Sequence, residues 1–295
     1  MNFNPEDGTA LAPVVQYLGQ VVLITLKIFF GLFFPIIFCC IILNVLSREQ
    51  NRRLYSIGGW KALLVTAWIG TPIHEFSHYL FAVLSFHKVQ DLKLFQPDAE
   101  TGSMGYVAHS YRIDNFYQAV IGNTLIAVAP FFGGAAAIYL ISSFVFPEFA
   151  LFADHVPRVY YLTIDNALQW KSYLLFGKTA FHFFNYLYDT FFSPAMLRDW
   201  KLYVFLFLML GIANHLSPSA SDFRNFWYPV TALLVTIALL NLFIYPLVKE
   251  PTTIILAASK YIFVFLPMLY LAIFISTIGL MITYLLSGLL WLVRK

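Results

Sequence analysis

The sequence predicts an all-α polytopic membrane protein with a small β-hairpin at the membrane surface and one interfacial amphipathic helix. Three observations predict it. Of 295 residues, 60% are hydrophobic and only 11% charged, where soluble domains carry about 25% charge. Apolar runs longer than the ~18 residues that mark a spanning helix recur along the chain. The net charge of +3 is spread over short connections with no basic block, which argues against a nucleic-acid partner and leaves membrane lipid as the surroundings. The chain reads as one membrane domain, 1–295.

Six spans are expected, at 14–46, 57–86, 118–146, 200–216, 227–248 and 260–293, against the ~20 residues a bilayer needs. The start, "MNFNPEDGTALAP", is acidic and lacks the basic n-region of a signal peptide, so the first run is read as a retained helix. Cys39 and Cys40 are neighbours within it, too close to staple a fold and too few for a zinc finger. The fourth span is short, and Pro267 predicts a tilt or kink in the sixth. The expected loop 47–61 holds Arg48, Arg52, Arg53 and Lys61 against Glu49, and 147–200 holds Arg158, Lys171, Lys178 and Arg198. Both basic segments would face the cytoplasm, with the N-terminus outside.

Two connections should be structured. In 88–112 apolar and polar residues alternate over Val89–Phe95 and Met104–Tyr111, with Pro97, Asp98, Gly102 and Gly105 in or near the turn. That is a β-hairpin pattern. In 174–193, Lys178, His182, Asn185 and Asp189 recur at helical spacing opposite an aromatic face. This fits a helix lying in the interface or lining a polar cavity.

The chemistry concentrates in "TPIHEFSH", where His74, Glu75 and His78 form HExxH inside an apolar helix. Histidines four apart share a helix face and can grip one zinc ion, Zn2+, while the adjacent glutamate reaches a water beside the metal as general base. With seven histidines, shuffling the chain would produce this pattern about once in three hundred tries. A polar cluster without metal must also account for Glu75, since an acid at the bilayer centre costs about 2.5–3.5 kcal/mol. A third ligand is needed beside an open position. Leu84 stands where metzincins place a histidine, which excludes that class, and His87 falls on the opposite helix face. His109, His182, His215 and Asp222 remain candidates. Gly70-Thr71-Pro72 either kinks the helix or breaks it to admit water.

HExxH in a membrane helix, with Asn214, Pro218 and Asp222 downstream, resembles the site-2 protease family of intramembrane zinc metalloproteases. That family's second motif is Asn-x-x-Pro-x-x-x-x-Asp-Gly. Here the asparagine-to-aspartate spacing of eight is kept, the proline is shifted by one and Phe223 replaces the glycine. The resemblance covers 57–226 and implies a catalytic core built from the HExxH helix, the hairpin 88–112, the helix 118–146, the segment 174–193 and the Asp-bearing end 200–226. It implies Asp222 as the third zinc ligand and a protein or peptide substrate paired along the hairpin. It also implies Asn123, Gly105, Tyr106 and Asn214 as substrate-binding candidates, and a bacterial inner membrane. Ser217, Ser219 and Ser221 would orient Asp222 or cap the next helix. Two rivals stay open from the residues alone. One is a membrane zinc hydrolase of lipid amides or esters. The other is a non-catalytic, metal-stabilised scaffold or partner-binding subunit, in which His215 or His109 closes the site.

Overall fold

The computed structural model describes residues 8–146, 168–216, 227–245, 247 and 265–293. The chain is mostly helical. Helix α1 spans Gly8–Ile28, a π-helical turn covers Phe29–Phe33, and α2 spans Phe34–Leu84. Strands β1 (Lys88–Lys93) and β2 (Tyr106–Ser110) follow. A second π-helical turn, Tyr117–Gly122, leads into α3 (Asn123–Val145). Then come α4 (Trp170–Phe191), α5 (Pro194–Arg198), α6 (Trp200–Leu216), α7 (Trp227–Ile244) and α8 (Phe265–Val293).

The expected loop at 47–61 is helical, because α2 continues through it and breaks only at Gly58–Gly59. Gly59 sits at φ 62, ψ −150, a region that only glycine enters cheaply. The chain reverses there. Asn214 Nδ2 donates to Asn51 Oδ1 at 2.7 Å and to Thr66 Oγ1 at 3.4 Å. Along an unbroken helix those two acceptors would lie about 22 Å apart. The arms before and after the glycines therefore pack side by side as an antiparallel pair. The arginines that suggested a loop lie on a helical face, where Arg52 and Arg53 pair with Glu49. Tyr284 of α8 donates to Glu49 at 2.8 Å and lies under the Arg53 guanidinium, 4.0 Å from ring centroid to Cζ.

Three stretches are long and apolar enough to cross a membrane, Ala12–Leu84, Tyr117–Val145 and Phe265–Val293; Trp200–Leu216 and Val230–Ile244 are apolar but shorter. The core lies where α2, α3, α6 and α8 meet. It is filled by fully buried Leu43, Ile138, Phe205, Met209, Ile212 and Leu266 among others. At its edge, α1 packs on α7, with Asn241 Nδ2 donating to Thr25 Oγ1 at 3.0 Å and the Tyr17 hydroxyl to the Leu242 carbonyl.

The amphipathic segment is helix α4. Phe176, Phe183, Leu187 and Phe191 are buried, the rings packing on Tyr270 and Phe274 of α8, while Lys178, His182, Asn185 and Asp189 are exposed. The polar stripe thus lies on the side of α4 away from α8. The hairpin is antiparallel, with Lys88 opposite Ser110, Lys93 opposite Tyr106 and a bulge between Val89 and Asp91. Its turn is closed by Asp98 N–H on the Ser103 carbonyl and by Gly102 at φ 73. Residues 147–167 and 217–226, with Arg158, the serines and Asp222, lie outside the described residues, as does 260–264 of the sixth expected span.

Candidate metal centre

Helix α2 carries His74, Glu75 and His78 in its second arm, all half-buried. The helix runs through Pro72 without a break, so of the two readings of Gly70-Thr71-Pro72 the break does not form. Gly70 has a different task. A Cβ there would stand 2.2 Å from the Gly211 carbonyl oxygen and 2.5 Å from His215 Nδ1. Only a residue without a side chain lets α6 approach this closely.

That approach orients the first histidine. His74 Nδ1 lies 2.7 Å from the His215 carbonyl oxygen, and because a carbonyl only accepts, Nδ1 carries the proton. His215 stands in the last turn of α6, where carbonyls lack intrahelical partners. The second histidine repeats the arrangement. His78 Nδ1 donates to the Ile126 carbonyl of α3 at 2.9 Å. Both rings then turn Nε2 towards each other, and these nitrogens lie 3.1 Å apart. Two ligands at the 2.0–2.1 Å zinc–imidazole distance in a tetrahedron lie about 3.3 Å apart. The observed spacing matches a pair of ligands to one ion, and carbonyl-bound far nitrogens are the usual support of metal-ligating histidines. The donor set therefore fits zinc.

The hairpin closes over Glu75. A Cβ on Gly105 would lie 2.9 Å from Glu75 Cγ and 2.7 Å from the Lys93 carbonyl oxygen, so backbone at the turn end of the hairpin rests directly on the glutamate. Met104 Sδ lies 3.9 Å from Thr71 Oγ1 one turn earlier. Tyr106 is exposed on β2, and its hydroxyl donates to Asp91. That bond holds the Asp91 carboxyl below its usual range and raises the Tyr106 phenol. Asn123 turns its amide back onto the Ala119 carbonyl at 3.0 Å. Asn214 is 2% exposed and holds both arms of α2, and its own carbonyl accepts Ser47 Oγ at 2.6 Å.

The remaining histidines are placed elsewhere. His87 Nε2 donates to the Gln118 carbonyl at 3.0 Å, and its Nδ1 meets His109 Nδ1 at 3.0 Å. Tyr111 stacks on His87 with centroids 5.1 Å apart. Burial and the neighbouring His87 hold the His109 imidazole below its ordinary value. His215 Nδ1 donates to the Gly211 carbonyl at 3.0 Å, so this residue serves His74 through its backbone. His182 is exposed on α4. Among the described residues no three His, Cys, Asp or Glu side chains converge to hold a metal, and Asp222 lies outside them.

Sequence reasoning missed the two carbonyls and the His87–His109 pair. Gly70 and Gly211, small residues within apolar helices, were the available signal for the first carbonyl. Comparison of the chain with family models, with curated proteins and with solved structures finds no match.

Proposed function

We propose that this chain is a membrane-embedded zinc metalloprotease that hydrolyses peptide bonds of membrane or membrane-proximal substrates. The observation that carries the reading is the pair of facing Nε2 atoms 3.1 Å apart, each on a ring whose far nitrogen is committed to a carbonyl. His74 and His78 hold the metal, with Asp222 as third ligand by resemblance. Zinc, when bound, supplies Lewis acidity and draws the pKa of a water towards about 7. Glu75, one residue from a ligand and pressed by Gly105, accepts the proton from the attacking water and later returns it to the leaving amine. An extended substrate strand pairs with the hairpin edge by β-augmentation. The two arms of α2 with α3, α6, α7 and α8 make six crossings, in a bacterial inner membrane as the resemblance implies. Weighing against the scaffold rival, His109 Nδ1 meets His87 and His215 Nδ1 donates to the Gly211 carbonyl.

Elemental analysis of wild type and Asp222→Ala tests the metal. We expect one zinc per wild-type chain and weakened binding in the variant. Glu75→Gln should keep zinc and lose hydrolysis of a helical peptide; retained hydrolysis would remove the base assignment. Turnover of lipid amides in place of peptide would move the substrate class to lipid.

A further inference from the structure

The second histidine is oriented by a carbonyl of another helix, and the sequence explains why that carbonyl is available. In an α-helix the carbonyl of residue i accepts the N–H of residue i+4. For Ile126 that residue is Pro130, which is buried within α3. Proline has no N–H to give, and its ring crowds the carbonyl four residues back and tilts it away from the axis. A buried carbonyl so released needs another donor. The Ile126 oxygen receives one from His78 Nδ1–H at 2.9 Å.

We infer that Pro130 is a positioning residue of the metal centre, dedicating the Ile126 carbonyl to His78 and thereby fixing which nitrogen of that ring faces the metal. The inference rests on the zinc reading above. Proline is the least favourable residue for a helix interior, yet α3 runs unbroken through it from Asn123 to Val145. What the helix gives up there is one internal bond, and the metal ligand takes the freed acceptor. Restoring an N–H at position 130 draws the carbonyl back towards the axis and sets it in competition with His78.

Pro130→Ala separates this role from a structural one. Zinc affinity is measured by chelator competition on the purified full chain, alongside the visible spectrum of the cobalt-substituted protein and thermal unfolding of the metal-free form. The expected result is about tenfold or weaker zinc binding and a changed cobalt spectrum, with thermal stability equal to or above wild type. Unchanged zinc affinity and cobalt spectrum in the folded variant overturn the inference. If Pro130→Ala does not fold, Pro130→Ser decides, because its N–H and hydroxyl both compete for the same carbonyl. Loss of folding in both assigns the proline a structural role and overturns the inference as well. A wild type that takes up no zinc brings down the metal reading itself, an outcome distinct from a zinc-loaded wild type matched by its variants.

Discussion

At the scale of single residues, the spacing of His74, Glu75 and His78 was readable because it is a property of side chains. The acceptors that aim those side chains were not. Every residue carries a carbonyl, and only the close approach of α6 and α3 selects those of His215 and Ile126. Gly70→Ala tests the first approach. Its Cβ would meet backbone oxygen at 2.2 Å, so α6 must shift, at a cost on the order of 1–3 kcal/mol for overpacking. The expected outcome is a lower unfolding temperature together with weaker zinc binding, because the His215 carbonyl moves away from His74. Asn214 was readable only as part of a motif. In the structure its amide joins three helical segments one residue before that carbonyl. Gly105→Ala should lower hydrolysis with zinc retained, since the added methyl presses on Glu75 and not on the histidines; zinc content and turnover measured on the same sample would check it.

At the scale of elements, the hairpin was legible because alternation and turn residues act locally. Its attachment was not, since it includes the pairing of His87 with His109 across twenty-two positions and the seating of Gly105 on Glu75. That attachment should respond to pH. The folded-state pKa of His109 lies below its ordinary value of 6.5, so the unfolded hairpin binds a proton more readily than the folded one. The contribution of this residue is complete above about 6.5 and is lost as pH falls from there through the lowered folded value. Amide hydrogen exchange of β2 should accelerate, relative to a helical reference, across that window, and His109→Leu should remove the pH dependence. Phe86, at φ 59, turns the chain from α2 into β1, and Gln118 Nε2 secures its carbonyl at 2.7 Å. Neither residue type announces such a task in a sequence.

At the scale of the whole molecule, helical content and membrane character followed from composition, whereas the layout of the first two expected spans did not. Basic residues at 48–53 implied a loop, yet charge is compatible with a helix end, and two glycines suffice to reverse the chain. Cysteines introduced at Asn51 and Thr66 should be joined efficiently by a short thiol cross-linker, because both positions reach one amide nitrogen. A straight α2 would give no product. Gly59→Ala should destabilise by about 1–3 kcal/mol through its left-handed backbone, read as a shift in thermal unfolding.

The two-glycine reversal also bears on how the molecule assembles. Joining ends across a few residues forfeits little chain entropy, and the cost grows with the length enclosed. The arms of α2 meet across a turn of two residues, whereas docking α1 on α7 joins Thr25 and Asn241 at a sequence separation of 216. The helical hairpin that carries the histidines is thus the inexpensive early contact, and the first helix seats late. Loosening α1 should therefore leave the histidine pair in place.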